Sequence, residues 1–340
     1  MGLQISEIVP RKAVEFSELK GKTIVVDAYN TIYQFLSTIR QPDGTPLMDK
    51  KGRITSHLSG LFYRNISLLQ EGMKLIYVFD GKPPALKYGT NVKRAEAKDE
   101  AREKYEKAKD EEDVEGMGKY ARQNVKLTSE ILEDSKKLLN AMGIAVIQAP
   151  SEGESQASSI ARAGMAYAVG SQDYDSLLFG APRLIQNLTL ARKRKTVSGY
   201  VYISPEIIEL EEVLNKLQIN LDQLICLGIL AGTDYNPGGI RGIGQKKALE
   251  IVKKYRNPID IFKSVEQQMS AQENKFDWQE IFELFHKPDV IRNPEIIFPK
   301  FDYDRIKEVL LEHDFSQDRI DSGLEKLKES KEKSKQRTLF

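Results

Sequence analysis

One cysteine, Cys226, stands among 340 residues. No internal disulfide can form, and its apolar setting, LICLGIL, marks a reduced, packed thiol rather than a secreted, disulfide-stapled scaffold. Long hydrophobic runs are missing as well. No stretch approaches the roughly 18 consecutive apolar residues of a membrane span, and the N-terminus carries no hydrophobic signal core. A soluble, intracellular protein with no membrane partner is expected. Met1, Gly2 and Ser6 fit a loose N-myristoylation pattern, yet no second membrane signal accompanies them. Nor is there an excess of one charge: 51 Lys and Arg face 50 Asp and Glu, a net +1, so any polyanion must be held by local patches. No GxxxxGKS/T phosphate loop, HExxH or GxSxG occurs, and DYDSL lacks the glycine and downstream glutamate of a calcium hand.

What is present is ample core material, 40% apolar residues over a length that allows two to three domain-sized units. Short β-branched runs, Thr23 to Val26, Leu75 to Phe79, Ile144 to Gln148 and Tyr167 to Ser171, alternate with helix-period segments. That is the pattern of an α/β fold with a parallel sheet. A helix over Ala28 to Arg40 sets Ile32, Phe35, Leu36 and Ile39 on one stripe; others gather Leu58, Leu61, Phe62 and Leu69, and Leu127, Ile131, Leu138 and Met142. After Val213 the pattern is helical throughout, and the lysine-rich stretch from Glu325 to Arg337 is expected to fray. From Lys93 to Asp113, sixteen of twenty-one residues are charged and Tyr105 is the only large apolar side chain. That composition fits either a solvated helix held by Glu/Lys pairs or a mobile insertion that orders on a polyanion.

Acids follow the apolar strands. TIVVD ends in Asp27, IYVFD in Asp80, AVIQAP runs into Glu152 and Glu154, VGSQDYD carries Asp173 and Asp175, and LAGTD ends in Asp234. Ligands of open α/β sheets sit at the carboxyl ends of the strands, so these seven acids can share one basin. Singly, each also reads as a helix N-cap or loop residue. Two carboxylates about 4 Å apart repel by roughly 4 kcal/mol at an effective dielectric near 20. A converging cluster must therefore bind cations or hold protons. With no Cys or His beside the acids, the ligand set is all oxygen, which selects Mg²⁺, Mn²⁺ or Ca²⁺ over zinc. Two such ions about 4 Å apart are the usual device for cutting phosphodiesters.

GGIRGIGQKKA, from Gly238 to Ala248, places a glycine turn at a helix start, with Lys246 and Lys247 just inside. Backbone N–H groups there can grip a phosphate, although glycine turns are also common connectors. Lys253, Lys254 and Arg256, and the ARKRK run with Arg192, Lys193, Arg194 and Lys195, are either basic patches or solvated loops. Tyr33 and Arg40, seven residues apart, would share a helix stripe able to stack a base or hold its phosphate, or simply edge the core.

VDAYNTIYQFL, TSHLSGLFYR, YVFDGKPP, APSEGESQAS, SQDYDSLLFG and LAGTDYNPGGIRGIGQKKA run in register with the blocks of one family. Over residues 1 to 325 the chain resembles the flap endonucleases of the structure-specific 5′ nuclease superfamily, in an archaeal-like form. The resemblance implies a PIN-like nuclease core, a central mostly parallel sheet flanked by helices, over 1–85 and 127–212. It further implies a charged helical arch insertion over 86–126, a helix-hairpin-helix-type duplex-binding region over 213–262, a C-terminal helical region over 263–330 and a basic tail over 331–340.

By the same resemblance, Asp27, Asp80, Glu152, Glu154, Asp173, Asp175 and Asp234 bind two Mg²⁺, with Mn²⁺ as a substitute, and Lys87 and Arg94 contact the scissile phosphate. Gly2 lies near the site, Tyr33 and Arg40 handle the branched junction, and Gly242 to Gly244, with Lys246 and Lys247, grip duplex backbone with a monovalent cation. The implied partner is branched DNA with a 5′ flap, met by a monomer in the cytoplasm or nucleoid if archaeal. The implied activities are 5′ flap endonuclease and 5′-3′ exonuclease in replication and repair. Bubble-cutting or junction-resolving relatives share the acids, and a DNA-binding scaffold without chemistry is the alternative from another class. The family's sliding-clamp peptide needs Gln, an aliphatic residue three later and then two aromatics; Gln336, Leu339 and Phe340 form an incomplete box.

Overall fold

The computed structural model describes residues 3–41, 43–110, 113, 116, 119–120, 125–189, 193–196, 199–272 and 275–337. Side chains at 91, 93–95, 109–110, 193–196, 199–202 and 330–337 fall outside that description. A seven-stranded sheet is formed by β1 (Lys12–Ala13), β2 (Thr23–Asp27), β3 (Lys74–Phe79), β4 (Ala145–Gln148), β5 (Ala168–Gly170), β6 (Arg183–Gln186) and β9 (Glu206–Glu209). β7 (Lys193–Thr196) and β8 (Gly199–Tyr202) make a separate antiparallel hairpin. The order is β1-β9-β6-β5-β2-β3-β4. The strands from β6 to β4 run parallel, and β9 and β1 close one edge antiparallel.

The central strands are apolar runs because both faces are covered. Their side chains alternate between two cores. Val25, Ile76 and Val78 enter one core; Ile24, Val26, Leu75, Tyr77 and Phe79 enter the other, all almost fully buried. The second core is filled by α1 (Ala28–Thr38), α2 (Ser56–Gln70) and a helix at Ser129–Ala141 (α4, after α3 at Tyr88–Asp110), with α13 (Tyr303–Glu312) and α14 (Gln317–Arg337) outside them. The first is filled by α5 (Gly153–Arg162), α6 (Asp175–Leu178), α7 (Leu210–Leu217), α8 (Leu221–Ala231), α9 (Gln245–Tyr255), α10 (Pro258–Lys263), α11 (Glu266–Ser270) and α12 (Trp278–His286). Cys226 is fully buried on α8, as its apolar setting requires. Among the described residues no helix is long and apolar enough to cross a membrane.

Three expectations need correction. The first helix stops at Thr38: Ile39 is extended and Arg40 bridges Pro46 antiparallel, so Tyr33 and Arg40 do not share a helix stripe. Helix does not continue unbroken after Val213, because the segment 288–302, with Pro288, Pro294 and Pro299, carries no helix. The charged segment is helix α3, which starts earlier than its charges, at Tyr88, and it does pack. Ala101 and Ala108 are buried, and Tyr105 lies half-buried between them in a small cavity with Leu36, Met48, Ile54 and Val125. Positions 101, 105 and 108 make one helical face, and alanines let it approach closely without a large apolar residue.

Candidate active site

The acids sit where the sheet delivers them. Asp27 ends β2 and also caps α1, accepting the Asn30 N–H at 3.1 Å, so the cap and the basin readings of this residue hold together. Asp80 follows β3 and accepts the Gly153 N–H at 2.7 Å, at the first residue of α5. A side chain at Gly153 would lie 2.6 Å from that Asp80 oxygen, so only glycine permits the approach. Glu154 accepts the Ser176 N–H at 2.9 Å, Asp175 accepts the Leu3 N–H at 3.3 Å, and Asn30 donates its side-chain amide to Asp173 at 3.1 Å. Helices α1, α5 and α6 thus aim their N-termini, and the positive ends of their dipoles, at one acid-lined region.

Repulsion from neighbour to neighbour links the seven acids into one set. Burial first, then Asp80 and Asp173, push Asp27 up to about 8. Burial also raises Asp80 to about 6, with Glu152 adding to it, and raises Asp175 to about 8, with Asp234 and Asp173 adding to it. Glu154 is pushed well above the carboxylate range by burial and by Asp175, Asp173 and Asp27. The predicted convergence is therefore present, together with its electrostatic cost. Lys87 is the cation in the midst of it. Its ammonium hydrogen-bonds Glu152 and lies 3.1 Å from Asp234, and although burial opposes its charge, these two partners raise its pKa above the usual lysine value. Among the described residues no three His, Cys, Asp or Glu side chains already form a shell tight enough for an ion. An all-oxygen donor set with one ammonium against seven carboxylates nonetheless fits hard divalent cations, which would replace the protons the basin otherwise retains.

That balance has a sign that can be measured in metal-free protein. Asp27, Asp80 and Asp175 have folded pKa values above the unfolded value near 4, so the fold holds protons that the unfolded chain has released. Their stabilisation is complete at low pH and is lost as pH rises through about 6 and then about 8. Melting of chelator-treated protein is expected to fall across this window and to recover with added Mg²⁺. A metal-free melting temperature that climbs with pH there would contradict it.

Other partners were not visible in the sequence motifs. Tyr235 donates its hydroxyl to Glu152, Thr90 donates to the Asp234 carbonyl at 2.8 Å, and Tyr29 lines the basin beside Asp80. Tyr235 directly follows Asp234, and Asn30 lies three residues after Asp27 at capping distance, which are the only sequence signals for them. A cleft of about 650 Å³ opens from the basin between Tyr29, Asp80, Lys87 and Glu152 on the body and Lys98 and Asp99 on α3. Lys98 lies over the Tyr33 ring, 5.6 Å from its centroid, so Tyr33 faces the charged helix.

Arg40, Gly242, Gly244, Lys246 and Lys247 have their described contacts elsewhere than at the seven acids. Arg40 donates to the Gly44 carbonyl at 2.7 Å in the turn after α1. Gly242, at φ +82°, occupies the left-handed region that favours glycine, and Gly244 caps α9. Lys246 pairs with Glu7 at 2.9 Å, and Lys247 reaches back to the Gly242 carbonyl at 3.4 Å. Arg94 is on α3 with its side chain outside the description, as is that of Gln336, while Gly2, Leu339 and Phe340 lie outside the described residues.

This sheet, acid basin and flanking charged helix define the class, and comparison with known proteins places the chain within it. The XPG N-terminal domain matches residues 3–101 and the XPG I-region matches 143–234. Flap endonuclease 1 of Pyrococcus furiosus is 52% identical, over 100% of this chain and 98% of that protein. That of Sulfolobus acidocaldarius is 50% identical, over 98% of this chain and 97% of its own. The solved flap endonuclease-1 from Methanococcus jannaschii superposes with a TM-score of 0.74 at 41% identity, across 97% of this chain and 98% of that one. The catalytic core of Rad2 in complex with DNA shares the fold, with a TM-score of 0.69 at 21% identity over 96% of this chain and 100% of that one. The chain belongs to the flap endonuclease 1 family.

Proposed function

We propose that the protein is a structure-specific DNA endonuclease that hydrolyses a phosphodiester at the base of a 5′ flap, with 5′-3′ exonuclease action at the same site, in DNA replication and repair. The convergence of seven carboxylates at the carboxyl edge of the sheet, beside the foot of a charged helix, carries this reading. Asp27, Asp80, Glu152, Glu154, Asp173, Asp175 and Asp234 would hold two Mg²⁺, with Mn²⁺ as a substitute. Bound there, the ions supply an activated water and neutralise charge on the phosphate.

The chain's own groups do the rest. Lys87 and Arg94, at and just beyond the foot of α3, would meet the scissile phosphate, where a cation stabilises the transition state more than the ground state. Tyr33 and Arg40 would hold the junction from separate elements, and Gly2 would sit close to Leu3, whose amide is bonded to Asp175. The turn at Gly242 to Gly244, with Lys246, Lys247 and a monovalent cation, would grip duplex backbone through phosphates rather than bases. A sliding clamp would be met through Gln336, Leu339 and Phe340, with the enzyme itself a monomer.

Product mapping on an end-labelled double-flap DNA tests the assignment. With Mg²⁺ the expected outcome is one dominant cut at the flap base. With Ca²⁺, whose larger and looser shell positions a water poorly, binding should persist with little cutting. Paired cuts across a four-way junction, or no Mg²⁺-dependent cutting of any branched DNA, would reject it.

A further inference from the structure

The residue that holds the acid basin together in this structure is the one assigned above to the phosphate, and both roles cannot be filled at once. Lys87 closes a short 3-10 turn, Ala85–Lys87, that leads directly into α3. Its ammonium bridges Glu152 and Asp234, whose side chains are only 9% and 15% exposed. Glu152 has its second oxygen taken by the Tyr235 hydroxyl, and Tyr235 is itself packed edge-on against Phe285 of α12. One oxygen of Glu152 is thus fixed by a buried phenol, the other by a lysine on the helix foot.

The attraction extends further. Asp27, Asp80, Glu154 and Asp175 all feel the Lys87 charge as well. A single positive charge is therefore shared among six carboxylates, all of them among the residues that would hold the two divalent ions. A divalent ion carries twice that charge at a smaller radius and would repel an ammonium from the same oxygens. Thr90, one helical turn on, is bound to the Asp234 main-chain oxygen by a neutral hydrogen bond and gives no reason to leave when an ion arrives.

We propose that the Lys87 ammonium is the resident cation of the metal-free basin and exchanges with the divalent ion, so that metal loading releases the lysine and loosens the foot of α3 on its Thr90 tether. This rests on the nuclease reading and adds a sequence to it. The metal is admitted first, and the freed lysine is then available to a phosphate. The basin is kept folded by its own lysine until the ion is present, and the ion is bound less tightly in the DNA-free protein because it must displace that lysine.

Mn²⁺ binding to the full chain without DNA, followed by calorimetry and by the resonance of free Mn²⁺, tests the exchange together with hydrogen exchange at amides 85–92. Lys87→Met is expected to tighten Mn²⁺ binding about tenfold, which at about 1.4 kcal/mol per decade is the cost of displacing the lysine. In the wild type Mn²⁺ should speed amide exchange at the α3 foot, whereas in Lys87→Met exchange should be fast already and unmoved by Mn²⁺. The metal-free variant should melt below the wild type and recover with Mn²⁺, and Lys87→Arg should keep the wild-type pattern. Unchanged affinity, or tighter binding with no change in exchange at the foot of wild-type α3, would overturn the proposal, the latter because repulsion at a distance would explain it. Failure of the nuclease reading looks different: Mn²⁺ would then bind Asp80→Asn as well as the wild type.

Discussion

Replacing Asp80 or Asp175 with Asn is expected to slow single-turnover cleavage of a 5′-flap DNA by about a thousandfold or more, while the Kd for that DNA moves by less than about threefold. A metal ligand supplies several kcal/mol of transition-state charge stabilisation, and about 4 kcal/mol is a thousandfold in rate. Affinity comes from elsewhere, because carboxylates repel phosphate whereas lysines and arginines release counterions when they meet it. Asn is the informative choice at Asp80, since its side-chain oxygen can still accept the Gly153 N–H, so the α5 N-terminus stays in place while the ligand charge is gone. At Asp175 the same substitution preserves an acceptor for the Leu3 amide. Rapid-quench kinetics and filter binding in Ca²⁺ separate the two quantities. Parallel loss of rate and affinity would mean that these acids support the DNA surface rather than the chemistry.

The strands that place the acids were legible because a parallel strand buried on both faces needs an unbroken apolar run, as in TIVVD and LIYVFD. The other edge of the sheet was not. β6 has four residues, β9 reads EIIE, and β1 has two, too short for periodicity to register, and their pairing is set by partners far along the chain. The α1 stripe ran on to Ile39 in the sequence, but the backbone turns extended there and leaves Arg40 in a bridge with Pro46. On α3 the buried face is built from Ala101 and Ala108, which a search for large apolar residues passes over. Lys87 is assigned to the site by resemblance, but its pairing with two of the acids was hidden for a different reason. Lys87 meets Glu152 and Asp234 from 65 and 147 residues away, a proximity that no local pattern encodes. The break at 288–302 is the exception, since its three prolines were there to be read.

A 5′ flap carrying a bulky protein block at its end before mixing is expected to be cut at least about a hundredfold more slowly than a free flap, a barrier difference of about 2.7 kcal/mol, whereas the same block added after assembly should leave a complex that completes cleavage. The reasoning starts from how α3 is held. Among its described side chains the buried ones are Thr90, anchored at the foot to the Asp234 carbonyl, and Ala101 and Ala108, with Tyr105 half-buried. Its other described contacts with the body are polar, among them the half-buried Lys98 ammonium over Tyr33 and the exposed Lys126–Asp99 pair at 3.9 Å. Exposed pairs of this kind are each worth about 0–1 kcal/mol. A helix held so lightly opens locally at small cost, and a polyanion running through the cleft past Lys98 and Lys87 would supply the charge that holds it down. Ordering of the helix and passage of the strand then become one event, which a free end permits and a blocked end prevents. Hydrogen exchange over the described part of α3 should slow when a free flap binds and stay fast with the blocked one. Blocked flaps cut at full speed, with exchange in α3 equally slow in both complexes, would show that the strand reaches the acids without passing beneath the helix, and junction selectivity would then fall to Tyr33, Arg40 and the glycine turn.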